Sequence, residues 1–235
     1  MRTASPSTLL RLDAAIVLAA AGAILGALLA PSGLLVHWLC KPLATALIAL
    51  RLRYAVAASP QRTWLLAGLG LSWLGDVLLM WPADLFLGGL VAFLLAHLCY
   101  IRAFGLGLRW RAALPGLLLF ALVAAGVLTT LLPQVPEPMR LPVLAYVAVL
   151  VLMAAVASGH SLQRGLRPWP AAALGAALFV LSDSLLALNR FAAPLPLAPL
   201  WVLASYYAAQ WCLACSASHA SATQPHHPSE ARPHG

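Results

Sequence analysis

The chain has 235 residues, 63% of them hydrophobic and 9% charged, with a mean hydropathy of +0.91. An ordinary soluble domain carries about 25% charged residues, so this composition excludes a water-soluble globule and describes an integral membrane protein. A net charge of +8 would suggest nucleic acid in a soluble chain, but the cations here lie in short connections between apolar runs, as in loops beside an anionic leaflet, and no nucleic acid is implied.

A helix needs about 20 apolar residues to cross the hydrocarbon core. Eight runs qualify: Leu12 to Ala30, Leu34 to Leu50, Thr63 to Met80, Leu85 to Phe104, Ala112 to Leu132, Leu141 to Ser158, Pro170 to Leu188 and Leu197 to Ala217. The first is long enough to span and is followed at once by another, so it reads as a retained helix rather than a cleaved signal peptide. Cys40, Cys99, Cys212 and Cys215 all fall within apolar runs, where buried free thiols are the simple account. Cys212 and Cys215 form a C-x-x-C with no second pair at ligand spacing, so neither a metal nor any other cofactor is expected.

The charges test the span count independently, because an eight-span chain places alternate connections on one side. Arg2, Arg11, Arg51, Arg53, Arg62, Arg102, Arg109, Arg111, Arg164, Arg167 and Arg232 gather on one side, against Arg140 and Arg190 on the other, with Lys41 inside a span. The expected architecture is therefore all-α: a polytopic transmembrane helical bundle of about eight spans over residues 1–217, both termini cytoplasmic. Residues 218–235 read as a disordered polar tail rich in His and Pro. The inner membrane of a bacterium is the expected location. The third and seventh spans run in the same direction four spans apart, so the chain can be read as two four-span halves in parallel orientation.

Asp76 interrupts the third span and Asp183 the seventh, in matching leucine settings: Leu74, Leu78 and Leu79 align with Leu181, Leu185 and Leu186. An aspartate within a lipid-spanning helix costs about 2.5 to 3.5 kcal/mol, so such residues usually face the bundle interior and act there. At about 1.5 Å rise per residue, Asp76 lies about 7 Å below its boundary, Asp183 about 9 Å and Lys41 about 10 Å. The three are level. Lys41 between two carboxylates would lower their desolvation cost, and one Lys cannot neutralise two Asp, which favours a functional role over a structural ion pair. The expectation is one site.

The fourth span presents Phe86, Gly89, Phe93, His97 and Tyr100 on one helix face, with His97 and Tyr100 deeper. A lone His on such a face is commonly a packing residue; its company with Tyr100 and its nearness to the Asp76 span make it a candidate. Ser72 is one turn before Asp76 and could donate to it, Ser182 flanks Asp183, and Asn189 ends the seventh span, although Ser in a helix often bonds its own backbone. Tyr206, Tyr207 and Gln210 could line the cavity. Gly75 and Gly89 suit close helix packing, and Trp64, Trp81 and Trp201 suit the interfacial belt.

No nucleophile elbow, zinc-protease motif, phosphate-binding loop or dinucleotide fingerprint is present. Acid–base chemistry on a membrane-dissolved molecule remains, or ion and proton traffic. Lys41-Pro42-Leu43, Gly75-Asp76, the Gly89, Phe93, His97, Tyr100 pattern, and Phe179 through Ser182-Asp183 to Leu186 occur in an order and spacing that resembles the YhhN family of membrane proteins, over about residues 38 to 190. The resemblance implies a lysoplasmalogenase: a hydrolase that cleaves the vinyl ether bond of a lysophospholipid substrate within the bilayer, giving a fatty aldehyde and glycerophospho-ethanolamine or -choline. It also implies Asp76 and Asp183 as the catalytic pair.

The residues suit that chemistry. Protonation of the alkene carbon gives an oxocarbenium ion to which water adds, so a protonated acid and a nearby carboxylate are needed, as in glycoside hydrolysis. Two carboxyl groups in one apolar site can divide those roles. The alternative is a proton-coupled small-molecule transporter using Asp76, Asp183, Lys41 and His97 as a relay; a structural or assembly factor would make the acids packing residues. Arg140 and Arg190 are the cations available to hold a phosphate on their side.

Overall fold

The computed structural model of the protein describes residues 4–165 and 171–218. The tail beyond Ser218, and Arg2, Arg167, Pro170 and Arg232 of the sequence reading, lie outside them. Among the described residues eight α-helices follow one another: α1 Pro6–Leu28, α2 Leu34–Ala55, α3 Pro60–Met80, α4 Phe86–Gly105, α5 Leu114–Leu131, α6 Glu137–Gln163, α7 Ala171–Ala187 and α8 Ala198–Ser218. Short 3-10 turns flank α5, and a π turn, Leu188–Ala192, prolongs α7. No strand occurs among the described residues.

Local sequence sets the helix starts. Ser5 caps α1 and Ser59 caps α3 by accepting backbone N–H groups, each followed by a proline whose fixed φ suits the first turn. Several helices exceed the apolar runs read from sequence: α2 continues beyond Leu50 to Ala55, and α6 extends from Glu137 to Gln163. Charged side chains do not end these helices because their stems pack while their heads find partners at the ends of the bundle. Arg51 shows this, pairing with Asp13 of α1 through Nε and Nη2.

Among the described residues seven helical segments are long and apolar enough to cross a membrane, and the chain is an integral membrane protein. The eighth helix, α8, is 21 residues long but carries Tyr206, Tyr207 and Gln210, which lower its hydropathy and are buried. It spends its polar residues inside the bundle. The lipid-facing side is apolar, with Leu18 at 73%, Leu118 at 74% and Leu141 at 77% exposure. In water such a surface would aggregate.

Consecutive helices pack as hairpins: α1 with α2, α3 with α4, α5 with α6, α7 with α8. Contacts of α2 with α3, α4 with α6, α6 with α7, and α8 with α1 and α2 close a ring, and α5 packs outside against α6. The halves share part of their neighbour pattern, since α2–α3 corresponds to α6–α7 and α4–α6 to α8–α2, but α1 packs on α8 whereas α5 has no comparable packing on α4. Gly75 and Gly89 lie where α3 and α4 approach closely: a Cβ at Gly75 would stand 2.6 Å from the Phe93 ring, and one at Gly89 2.5 Å from Leu79.

Candidate active site

Both aspartates sit near the same end of the bundle, but each has its own partners. Asp76 on α3 is buried, with 1% exposure. Its Oδ2 accepts Thr45 Oγ1 from α2 at 2.7 Å and the Tyr206 hydroxyl from α8 at 2.8 Å, and Lys41 Nζ lies 3.7 Å from its Oδ1. Thr45 follows Lys41 by one helical turn, so α2 presents both groups on one face. A hydrogen-bonded chain runs on from this cluster: Gln210 Nε2 donates to the Tyr206 hydroxyl at 3.3 Å, the Tyr100 hydroxyl donates to Gln210 Oε1 at 2.8 Å, and Ser72 Oγ lies 3.3 Å from that hydroxyl. Ser72 therefore reaches Tyr100 rather than Asp76.

Asp183 on α7 is partly open, with 13% of its side chain exposed. Its Oδ2 accepts the Tyr146 hydroxyl from α6 at 2.6 Å, and that oxygen of Tyr146 lies 2.9 Å from His97 Nε2 of α4. A phenol has one hydrogen, so with that hydrogen on Asp183 the imidazole must offer its own from Nε2. His97 Nδ1 is buried without a hydrogen-bond partner among the described residues. His97 Nε2 is also 3.6 Å from Asp183 Oδ2. Asp183 Oδ1 takes no hydrogen bond among the described residues.

The two groups are separated by aromatic rings. Phe179 meets Tyr206 edge-on at 5.7 Å on one side and His97 at 4.7 Å on the other, and Phe93 packs against both Phe179 and Tyr206. Lys41 is paired with Asp76 and, among the described residues, makes no ion pair with Asp183. The single site expected from the level of the three charges is thus two clusters, because Lys41 and Thr45 project from α2 toward α3, whereas Asp183 turns toward α4 and α6. His97 and Tyr100, on one face of α4, divide between them.

Ser182 and Asn189 lie elsewhere. Ser182 Oγ donates to the Val202 carbonyl of α8 at 3.0 Å, and Asn189 Oδ1 accepts the Leu195 N–H at 2.9 Å, holding the turn into α8. Thr45 and Tyr146 escaped the sequence reading. Each left a signal: Thr45 is one turn beyond Lys41, and Tyr146 is the one polar side chain between Leu141 and Ala157.

A cleft, partly open to its surroundings, lies between α4, α6 and α7 with α5 as its outer wall. Leucine, valine and phenylalanine dominate its lining, and Asp183, Tyr146 and Ser184 supply its polar groups. Asp76 and Lys41 do not line it. A mostly apolar cleft with a few convergent polar groups is the usual form of a small-molecule site, and this lining suits a hydrocarbon chain brought against one carboxyl group.

No solved structure matches the chain. Among curated proteins, lysoplasmalogenase TMEM86B of Homo sapiens is 43% identical over 166 residues, covering 70% of this chain and 68% of that protein. TMEM86B of Rattus norvegicus is 39% identical over 189 residues, covering 80% and 74%, and the lysoplasmalogenase of Mycobacterium bovis is 35% identical over 166 residues, covering 66% and 61%. The family pattern matches residues 36–217, which include Lys41, both aspartates and every residue bonded to them, and the chain belongs to the YhhN family.

Proposed function

We propose that the chain is a membrane-embedded lysoplasmalogenase, hydrolysing the vinyl ether bond of a lysophospholipid in a bacterial cytoplasmic membrane. The likeness to curated lysoplasmalogenases supports the reaction. The observation that carries the mechanism is that Asp183, beside Tyr146 and His97, is the carboxyl group opening on the apolar cleft.

In this reading the alkenyl chain lies in the cleft and its double bond approaches Asp183 Oδ1. The carboxylic acid gives its proton to the alkene carbon farther from the ether oxygen, and the π electrons form that C–H bond. The resulting oxocarbenium ion is stabilised by the carboxylate left behind. Water adds to the carbon bearing the ether oxygen and returns a proton to Asp183, giving a hemiacetal. Loss of the hemiacetal hydroxyl proton and cleavage of its bond to the glycerol oxygen release the aldehyde, and the glycerol oxygen takes up a proton. One water is consumed and Asp183 is regenerated. Tyr146, itself held by His97, donates to Oδ2, which orients the carboxyl group and leaves Oδ1 to react. General acid–base catalysis of this kind contributes about 10²- to 10⁴-fold.

Asp76 takes a different part. Walled from the cleft by Phe93 and Phe179, it fixes α2, α3 and α8 through Lys41, Thr45 and Tyr206, and so positions the helices that carry the aromatic wall. A transport relay would need polar groups through the bundle. Beyond Ser72 and Tyr100, the buried residues Leu65, Leu69, Ile48, Leu52 and Phe104 separate that cluster from His160 and Ser161 near the other end.

The test is aldehyde release from lysoplasmenylethanolamine and lysoplasmenylcholine by the purified, detergent-solubilised protein. Turnover by the unmodified chain and its loss in Asp183→Asn support the reading. No aldehyde from either lipid would overturn it and make proton-coupled uptake the next assay.

A further inference from the structure

The two outward cations offered by the sequence have different surroundings. Arg140 folds back on the turn before α6, donating from Nε to the Val135 carbonyl at 3.2 Å with Glu137 3.9 Å from Nη1. Arg190 instead stands at the rim of the apolar cleft. It lies in the π turn after α7, its guanidinium 5.1 Å over the Phe86 ring, and Phe86 meets Phe191 edge-on at 5.4 Å. Both rings line the cleft. A π turn commonly marks a functional position because it rotates side chains out of α-helical register, and here it places Arg190 and the cleft-lining Phe191 in succession.

Arg190 is only partly engaged. Its Nη2 alone reaches both oxygens of Asp84, at 2.9 and 2.7 Å, while Nε and Nη1 have no hydrogen-bond partner among the described residues. Both members of the pair are open, with 44% and 64% of their side chains exposed. Asp84 adopts φ 52°, a left-handed conformation that a short Asp tolerates, in the turn joining α3 to α4. A cation with two spare donors beside an exposed carboxylate is complementary to a zwitterion whose phosphate and ammonium lie a few ångströms apart.

Distance along the helix fits. Arg190 follows Asp183 by seven residues, about 10 Å of α-helical rise. The glycerol backbone from phosphate to ether oxygen covers roughly 5 Å, and the Arg and Asp side chains close the remainder.

We infer that Arg190 and Asp84 form the head-group subsite of the cleft, Arg190 taking the phosphate through Nε and Nη1 and Asp84 the ammonium of a phosphoethanolamine or phosphocholine. This rests on the lysolipid reading above, but it can be tested without turnover. The probes are saturated ether analogues with no vinyl bond: 1-O-hexadecyl-glycerophosphocholine, 1-O-hexadecyl-glycerol-3-phosphate and 1-O-hexadecyl-glycerol. Binding of each to the full chain is measured for the unmodified protein, Arg190→Gln and Asp84→Asn, with thermal unfolding recorded alongside.

Arg190→Gln is expected to weaken the phosphocholine probe roughly five- to tenfold and to leave hexadecyl-glycerol unchanged. Asp84→Asn is expected to weaken the phosphocholine probe but not hexadecyl-glycerol-3-phosphate, which has no ammonium. A purely structural tether between the α3–α4 turn and the π turn would shift all three probes together, and that result, or no shift in any, overturns the proposal. Probe binding with these selectivities but no aldehyde from alkenyl lipids would sink the hydrolase reading and leave the subsite standing.

Discussion

Asp76 and Asp183 occupy corresponding helices of the two halves, and their partners correspond as well. Asp76 is held by α2 of its own half and α8 of the other; Asp183 is held by α6 of its own half and α4 of the other. What differs is the chemistry of the partners and the opening beside them. The α2 partner is a lysine, so Asp76 has a cation against it in a closed site. The α6 partner is a phenol, and the adjoining space is a cleft lined by α5. The same geometry with a different neighbour gives a lysine-paired carboxylate in a closed site in one half and a carboxyl group beside an apolar cleft in the other.

The largest effect expected from that contrast is at Asp183. Asp183→Asn keeps size and polarity but removes the transferable proton, so aldehyde release should fall about 10²- to 10⁴-fold, while the thermal unfolding midpoint stays close to that of the unmodified chain.

Asp76→Asn should do the reverse. Removing one member of a buried pair leaves Lys41 uncompensated and costs about 3–5 kcal/mol. Unfolding should shift to markedly lower temperature or denaturant, and adding Lys41→Met should restore most of the loss. A folded, fully stable Asp76→Asn protein without turnover would instead join the two carboxyl groups in one acid–base pair and break the comparison.

Tyr146→Phe sharpens it further. The phenol donates to a carboxyl group in a partly dry site, a bond of about 1.5–3 kcal/mol, so turnover should drop roughly 10- to 100-fold with KM for the lipid little changed. An effect confined to KM would assign Tyr146 to substrate binding rather than to orienting Asp183.

The smallest expected effect concerns the hydrogen-bonded chain that serves Asp76. A Cβ at Gly68 would collide with the Tyr100 ring. Gly68→Ala must displace that ring from Ser72 and Gln210, for a loss of about 1–3 kcal/mol in stability, read by thermal unfolding. Per folded molecule, aldehyde release should stay within a few-fold, because Tyr100 belongs to the Asp76 cluster.

Much of this was legible without coordinates. Hydropathy and the distribution of Arg give the helical membrane architecture, because lipid requires backbone groups to be satisfied within each span. The cost of a charge in hydrocarbon singles out Asp76, Asp183 and Lys41. The close approach of α3 and α4 could be read from Gly75 and Gly89. Ser72, Ser182 and Asn189 were less predictable: a short polar side chain near an acid has several partners within reach, and these three bond to Tyr100, Val202 and Leu195 instead.

Tertiary structure alone decided which acid met the lysine and which met the cleft. Depth along a helix follows from counting residues, but rotation about the helix axis and the order of helices around the bundle depend on packing between segments far apart in the chain. Tyr146 and Asp183 are 37 residues apart, Tyr206 and Asp76 130. Those pairings depend on how the helices close into a ring, and no local pattern encodes them.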